Sequence, residues 1–181
     1  MHYVIELHYD PVTEKKLQEA QALLGQKPAG KPHVTLATCD YLDAAAAVPA
    51  LQEVFGKRQP REIKLFFPGT FPSDAEHKVL YAGVVADRDL CTLQEAVYAI
   101  VEKHSPNPTE LTKPGNMVFH TTLAMKIGIG KIEAAFRTLE GHIPETGRIE
   151  SAVITQYPEG KEVARFDFRG NGKNIRPSPR L

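Results

Sequence analysis

The stretch His-Val-Thr-Leu-Ala at 33–37 returns as His-Thr-Thr-Leu-Ala at 120–124. A single histidine two residues ahead of a threonine carries little information, because chance supplies such pairs. The shared Leu-Ala that follows makes two independent accidents hard to sustain. On a strand, residues i and i+2 share a face. His33 therefore points with Thr35, and His120 with Thr122. Val34, Leu36, Phe119, Thr121 and Leu123 turn the other way, where they suit packing. Each copy reads as one working face backed by one structural face.

Two imidazoles facing each other suit displacement at phosphorus. Histidine titrates near pH 6.5, so one ring can be neutral while its partner is charged. The neutral ring takes a proton from the attacking water or hydroxyl, and the charged ring gives one to the leaving oxygen. In-line geometry puts those oxygens on opposite sides of the phosphoryl group. The rings are then expected about 5–8 Å apart, two hydrogen-bonding reaches. Thr35 and Thr122 would donate to the non-bridging oxygens, where negative charge must be held. This chemistry requires no metal and no cofactor, and the symmetry leaves open which histidine is the base.

Plainer readings stand beside this one. One His-x-Thr on a strand is usually a polar face meeting solvent. A metal site would need a third ligand, with His2, Glu6 and His8 the nearest candidates. Those three could instead tune a catalytic ring or simply face water. Lys31, Lys113 and Asn116 precede the two motifs and could reach a phosphate or base, or be solvated loop residues. Tyr41, Phe71 and Tyr81 are candidates for stacking on a base, with core packing the alternative. Arg176 and Arg180 could touch RNA from a basic tail. His77, His104 and His142 receive no role.

Several elements must position the motifs. Tyr3, Ile5, Leu7 and Tyr9 alternate with His2, Glu6 and His8, which predicts a strand with one buried face. Asp10-Pro11 starts a helix, Thr13, Leu17, Ala20 and Leu24 form its inner stripe, and Gly25 stops it. A loop, QKPAGKP, leads to a strand from His33 to about Tyr41. An Ala-rich turn after Asp43 is expected to break at Pro49, with a helix restarting there and carrying Leu51, Val54 and Phe55. REIKLFF reads as a strand closed by Pro68-Gly69, and KVLYAGVVA as a buried central strand. A helix with Leu90, Leu93, Val97, Ile100 and Val101 inward follows. The loop SPNPTELTKPGN then delivers the second motif strand. A short helix ending at Gly141 and a hairpin turned at Pro158-Glu159-Gly160 close the chain.

The halves rhyme: strand, Asp-led helix, Lys-Pro loop, motif strand, with Leu-Gln-Glu-Ala in both helices. That order suggests an α+β or α/β sandwich with two pseudo-symmetric lobes. The 181 residues suit one domain or two lobes sharing a core, and 22 basic and 22 acidic residues cancel, so no global field attracts long nucleic acid or membrane. Cys39 and Cys91 are expected as reduced thiols of a cytoplasmic protein. Glu6 and Asp10 within the first apolar stretch argue against a signal peptide or anchor.

The paired motifs resemble those of the 2H phosphoesterase superfamily, specifically its bacterial branch similar to 2′,5′ RNA ligase (LigT-like). The resemblance runs from the first strand through the final hairpin. It implies an α+β, bilobed, pseudo-twofold fold, with antiparallel sheets lining a central cleft and helices outside. Residues 1–169 would form this single domain, with halves of about 1–70 and 71–169, and 170–181 a loosely held tail. It also implies opening or forming cyclic phosphodiesters, commonly 2′,3′-cyclic phosphates at RNA ends or on nucleotides. The protein is expected to be a monomer. By motif position, His33, Thr35, His120 and Thr122 carry over as catalytic. The alternative is a non-catalytic module that binds a nucleotide or RNA end in the same groove.

Overall fold

The computed structural model describes residues 2–25 and 30–169 together with the backbone of 175–177. The strands are β1 (His2–Tyr9), β2 (His33–Cys39), β3 (Arg61–Pro72), β4 (His77–Val84), β5 (His120–Gly128), β6 (Thr146–Tyr157), β7 (Lys161–Asp167) and β8 (Ile175–Pro177). The helices are α1 (Pro11–Leu23), α2 (Ala44–Phe55), α3 (Arg88–His104) and α4 (Ile132–Leu139). The fold is α+β, with every strand pairing antiparallel, in the order β2-β1-β6-β3-β4-β5. β7 also pairs with β6 and carries β8 on its far side. The long β6 is shared: its first residues pair with β3 and the remainder with β7 along one edge, while β1 takes the other.

Two units of the chain share one order of elements. β1-α1-β2 and β4-α3-β5 are both strand–helix–strand units whose two strands pair antiparallel. Asp10 caps α1 by accepting from Thr13 N at 3.0 Å, and Asp87 caps α3 by accepting from Leu90 N at 2.8 Å. Each helix then packs against the motif strand of the other unit, α1 on β5 and α3 on β2. A glutamine marks each crossing. Gln21 Nε2 donates to the Thr122 carbonyl at 3.0 Å, and Gln94 Nε2 to the Leu36 carbonyl at 3.3 Å. The halves are interlocked rather than merely abutted. Asp10→Ala, which removes a side-chain cap, should cost about 1 kcal/mol of stability in urea denaturation.

Where sequence patterning and structure part, packing decides. The Ala-rich segment after Asp43 is not a turn: α2 runs unbroken through Pro49. Ala47, Leu51 and Phe55 lie four residues apart and must share one buried face against α3 and β7, and that burial outweighs the lost hydrogen bond at proline. β3 does not close at Pro68-Gly69 but continues to Pro72, with a register shift between Phe66 and Pro68. A bulge is where a strand tolerates proline. The second face of β1 is also not solvated, since Glu6 and His8 are 2% and 6% exposed. β1 is interior to the sheet, and polar side chains of β2 and β6 close over it.

The segment 105–116 is no free loop. Thr109 N donates to the Thr38 carbonyl at 2.9 Å, Thr38 N to Thr112 Oγ1 at 3.2 Å, and Gln94 Nε2 to the Thr112 carbonyl at 2.5 Å. Within the tail expected to be loose, Ile175–Pro177 pair with β7. The rest of that expectation, with the Arg176 side chain, Arg180 and residues 26–29 of the first loop, lies outside the described residues. Among the described residues no helix is long and apolar enough to cross a membrane. Cys39 is a buried free thiol and Cys91 a partly buried one.

Candidate active site

β2 and β5 stand at the two ends of the strand order, yet they touch. The sheet folds round until its edges meet, and they meet at the motifs. The join is a chain of hydroxyls. Thr121 Oγ1 donates to the His33 carbonyl at 3.1 Å, and the Tyr9 hydroxyl lies 2.6 Å from the same Oγ1. Since the threonine proton serves the carbonyl, Tyr9 must be the donor to Thr121. Burial pushes the Tyr9 phenol well above its ordinary value, against the smaller opposite effect of the Thr121 bond, so that proton stays in place. Thr121 is fully buried, as a residue on the structural face should be. Its hydroxyl nevertheless ties one motif to the other.

Both histidines are held the same way. His33 Nδ1 is 2.8 Å from the Lys31 carbonyl, and His120 Nδ1 is 2.7 Å from the Val118 carbonyl, in each case two residues back. A carbonyl only accepts, so Nδ1 carries the hydrogen and each neutral ring keeps its lone pair on Nε2. Identical local bonds thus present the same nitrogen from both strands. Thr35 and Thr122, half-buried, follow on the same faces.

The surroundings of the two rings differ. On the first side, β1 pairs His8 with His33 and Glu6 with Thr35, which sets all four side chains on one face. Glu6 Oε1 lies 3.9 Å from His33 Nε2, and Glu6 Oε2 accepts from His8 Nε2 at 2.9 Å. On the second side His120 meets the edge of Phe71 at 4.9 Å between ring centroids, with Tyr81 at 5.3 Å. Phe71 and Tyr81 stack on each other at 4.3 Å. Burial lowers the pKa of His120, the Val118 bond opposes that, and the charge of His33 lowers it further.

Two glycines shape this aromatic floor. A Cβ on Gly83, the cross-strand partner of His120, would fall 2.2 Å from the Phe66 ring, and one on Gly69 would fall 2.4 Å from Tyr81. The rings lie flat on the sheet because nothing projects there.

Of the proposed substrate contacts, Phe71 and Tyr81 stand beside His120. The others are placed differently. Lys31 pairs through Nζ with Glu14 at 2.9 Å, and its carbonyl holds the His33 ring. Lys113 lies 3.5 Å from Glu110, and Asn116 Nδ2 donates to the Glu110 carbonyl at 3.1 Å, both within the segment docked under the far part of β2. Tyr41 is exposed beyond the C-terminal end of β2, the end opposite His33. Among the described residues no cluster of three or more His, Cys, Asp or Glu side chains has the geometry to hold a metal ion. Thr121, Tyr9 and the Glu6 network are the residues that sequence reasoning underrated. The signal for Thr121 was a polar residue where the first motif has valine.

With this geometry in place, the match that decides the family is one of sequence. The sequence matches the 2′-5′ RNA ligase superfamily over residues 9–161. The chain belongs to that superfamily. No curated protein matches this superfamily member by sequence. Its fold is similar to that of a Thermus thermophilus protein, with 19% identity, 94% of this chain and 99% of that one covered, and a TM-score of 0.61. Escherichia coli LigT in apo form is 13% identical over 92% of this chain and 96% of its own, with a TM-score of 0.61. LigT complexed with 3′-AMP is 13% identical over 98% of this chain and 94% of its own, with a TM-score of 0.55. At these identities the likeness shows the fold alone.

Proposed function

We propose that this chain is a phosphoesterase that opens 2′,3′-cyclic phosphates on RNA ends or nucleotides, or forms the 2′,5′ linkage in reverse. His33 and His120 act as the acid–base pair, and Thr35 and Thr122 donate to the non-bridging oxygens. The observation that carries this reading is the matched Nδ1–carbonyl bond, which presents Nε2 of both rings where β2 and β5 meet. In hydrolysis one Nε2 takes a proton from water as its oxygen attacks phosphorus. The P–O bond to the ribose breaks, and the departing oxygen takes the proton from the other Nε2. Water has been added across one ester bond, and solvent exchange resets the rings.

Membership in a superfamily of ligases and phosphoesterases supports the reaction class, and 3′-AMP in LigT supports a nucleotide as ligand. Phe71 and Tyr81 offer the base an aromatic wall, worth about 1–3 kcal/mol per stacked base. The test is a panel of 2′,3′-cyclic nucleotides and cyclic-phosphate-ended oligonucleotides, assayed in excess chelator. Turnover should persist in chelator and follow a bell-shaped pH profile. If His120 is the base, its lowered pKa puts the acidic limb below pH 6.5, because rate appears as pH rises through the pKa of a group that must be neutral. Binding without hydrolysis across the panel would favour the non-catalytic module, and activity lost to chelator would favour a metallohydrolase.

A further inference from the structure

A pair of histidines does not account for Glu6. It is a carboxylate 2% exposed in the interior of a sheet face, where an unpartnered charge would be costly. Its oxygens are shared among four groups. Oε2 accepts from His8 Nε2 at 2.9 Å and from Thr155 Oγ1 at 3.2 Å. Oε1 accepts from the Tyr157 hydroxyl at 2.9 Å and stands 3.9 Å from His33 Nε2. Three partners hold the carboxylate in place. The fourth is the working nitrogen of the first motif, at a distance that is electrostatic rather than hydrogen-bonded.

The acid is ionised. Burial alone would raise its pKa, but the His8 bond, the charges of His33 and His8, and the Tyr157 bond together hold it below the usual carboxylate value. Tyr157 in turn is pushed well above its ordinary value, by burial first and then by the Glu6 charge, so it remains a donor. Around this cluster the facing groups are His8 on β1, His33 on β2, and Thr155 and Tyr157 on β6. One strand further, Arg165 on β7 is engaged by Glu162 and Ser151. Toward His33 come His120 from β5 and Lys31, whose ammonium pairs with Glu14. His120 has a different neighbourhood, the aromatic rings of Phe71 and Tyr81.

We propose that Glu6 is a positioning residue that acts through His33, supplying the counter-charge that makes His33 the proton donor and leaves His120 the acceptor in ring opening. The assignment rests on the phosphoesterase reading above and breaks the apparent symmetry of the motifs. In hydrolysis His120 Nε2 removes the water proton, the water oxygen bonds to phosphorus, the P–O bond to the ribose breaks, and His33 Nε2–H protonates that oxygen. The Glu6 carboxylate faces the ring as it gives up that proton, and itself neither gains nor loses one.

The test uses the full chain, a 2′,3′-cyclic nucleotide, and its analogue with sulfur at the bridging position that leaves, as identified from the product. A departing thiolate needs no proton. Glu6→Gln should lower kcat on the oxygen substrate by about tenfold with a smaller change in KM. On the sulfur substrate Glu6→Gln and His33→Ala should return to within about threefold of the unsubstituted protein, while His120→Ala stays inactive on both. Wild-type kcat in Glu6→Gln on the oxygen substrate would overturn the proposal. So would an equal loss on both substrates, which marks a structural role, or sulfur rescue of His120→Ala instead of His33→Ala. If Glu6→Gln does not fold by circular dichroism, Glu6→Met, which leaves no buried charge, is read against the same outcomes. An unsubstituted protein that turns over neither substrate sinks the phosphoesterase reading and this proposal with it. A histidine-dependent enzyme indifferent to Glu6 sinks this proposal alone.

Discussion

His33→Ala or His120→Ala should each abolish measurable opening of a 2′,3′-cyclic phosphate, a loss of about 10²–10⁴-fold per proton-transfer group. The two losses should not add. Once one transfer is gone the other ring has no partner step to complete, so the double variant should fall little below either single one. Thr35→Ala and Thr122→Ala should cost less than either histidine change, because each removes one hydroxyl donor and leaves both proton transfers intact. Single-turnover rates with the same substrate decide the matter. Full turnover by the double histidine variant would end the phosphoesterase reading. Because both rings hang from main-chain carbonyls, the alanine variants should retain the fold, and a loss of rate can be assigned to chemistry.

Thr121→Val should be the most damaging change outside the paired motif positions. The substitution keeps shape and removes only the hydroxyl that donates to the His33 carbonyl and receives Tyr9. The buried Tyr9 phenol then loses its acceptor and the part-buried His33 carbonyl a donor, at a cost of about 1–3 kcal/mol. The larger consequence is geometric. The hydroxyl is what registers β5 against β2 at the first motif histidine, and misplacing one reacting group by about 1 Å can cost about 10²-fold. We expect kcat to fall by about that factor, with the bell shape of the pH profile preserved. Tyr9→Phe should cost less, since Thr121 keeps its bond to His33. A Thr121→Val protein with unchanged kcat would show that the strands hold their register without the hydroxyl.

Local patterns were legible where local rules operate. Asp10-Pro11 starts a helix, period-two alternation makes β1 a strand, and i, i+2 geometry pairs each histidine with its threonine, all from a few neighbouring residues. The internal rhyme was visible for the same reason, since each unit repeats its own cues. What stayed hidden depends on distant partners. Proline at 49 reads as a break until Phe55 finds its place beside the Phe166 ring, 5.1 Å away between centroids. Glu6 and His8 read as solvent-facing until β2 and β6 flank them. Thr121 was assigned to packing, correctly for its face, but its partners Tyr9 and His33 belong to the other unit. No neighbour in sequence announces that contact. Nor does periodicity tell that α1 and α3 exchange places behind the motif strands.

The longest connection between described elements, 105–119, is stitched along β2 by Thr109, Thr112 and the Pro108–Cys39 bridge, so its stretch 108–112 is not available as a flap. An enzyme that must shut a cover over its ligand is confined to ligands that fit beneath it. Here that constraint is lifted on the side where a cover would have been sought. On the phosphoesterase reading, a polynucleotide could leave its trailing residues in solvent while only its terminus is engaged, and ligand length should then affect affinity more than the speed of the chemical step.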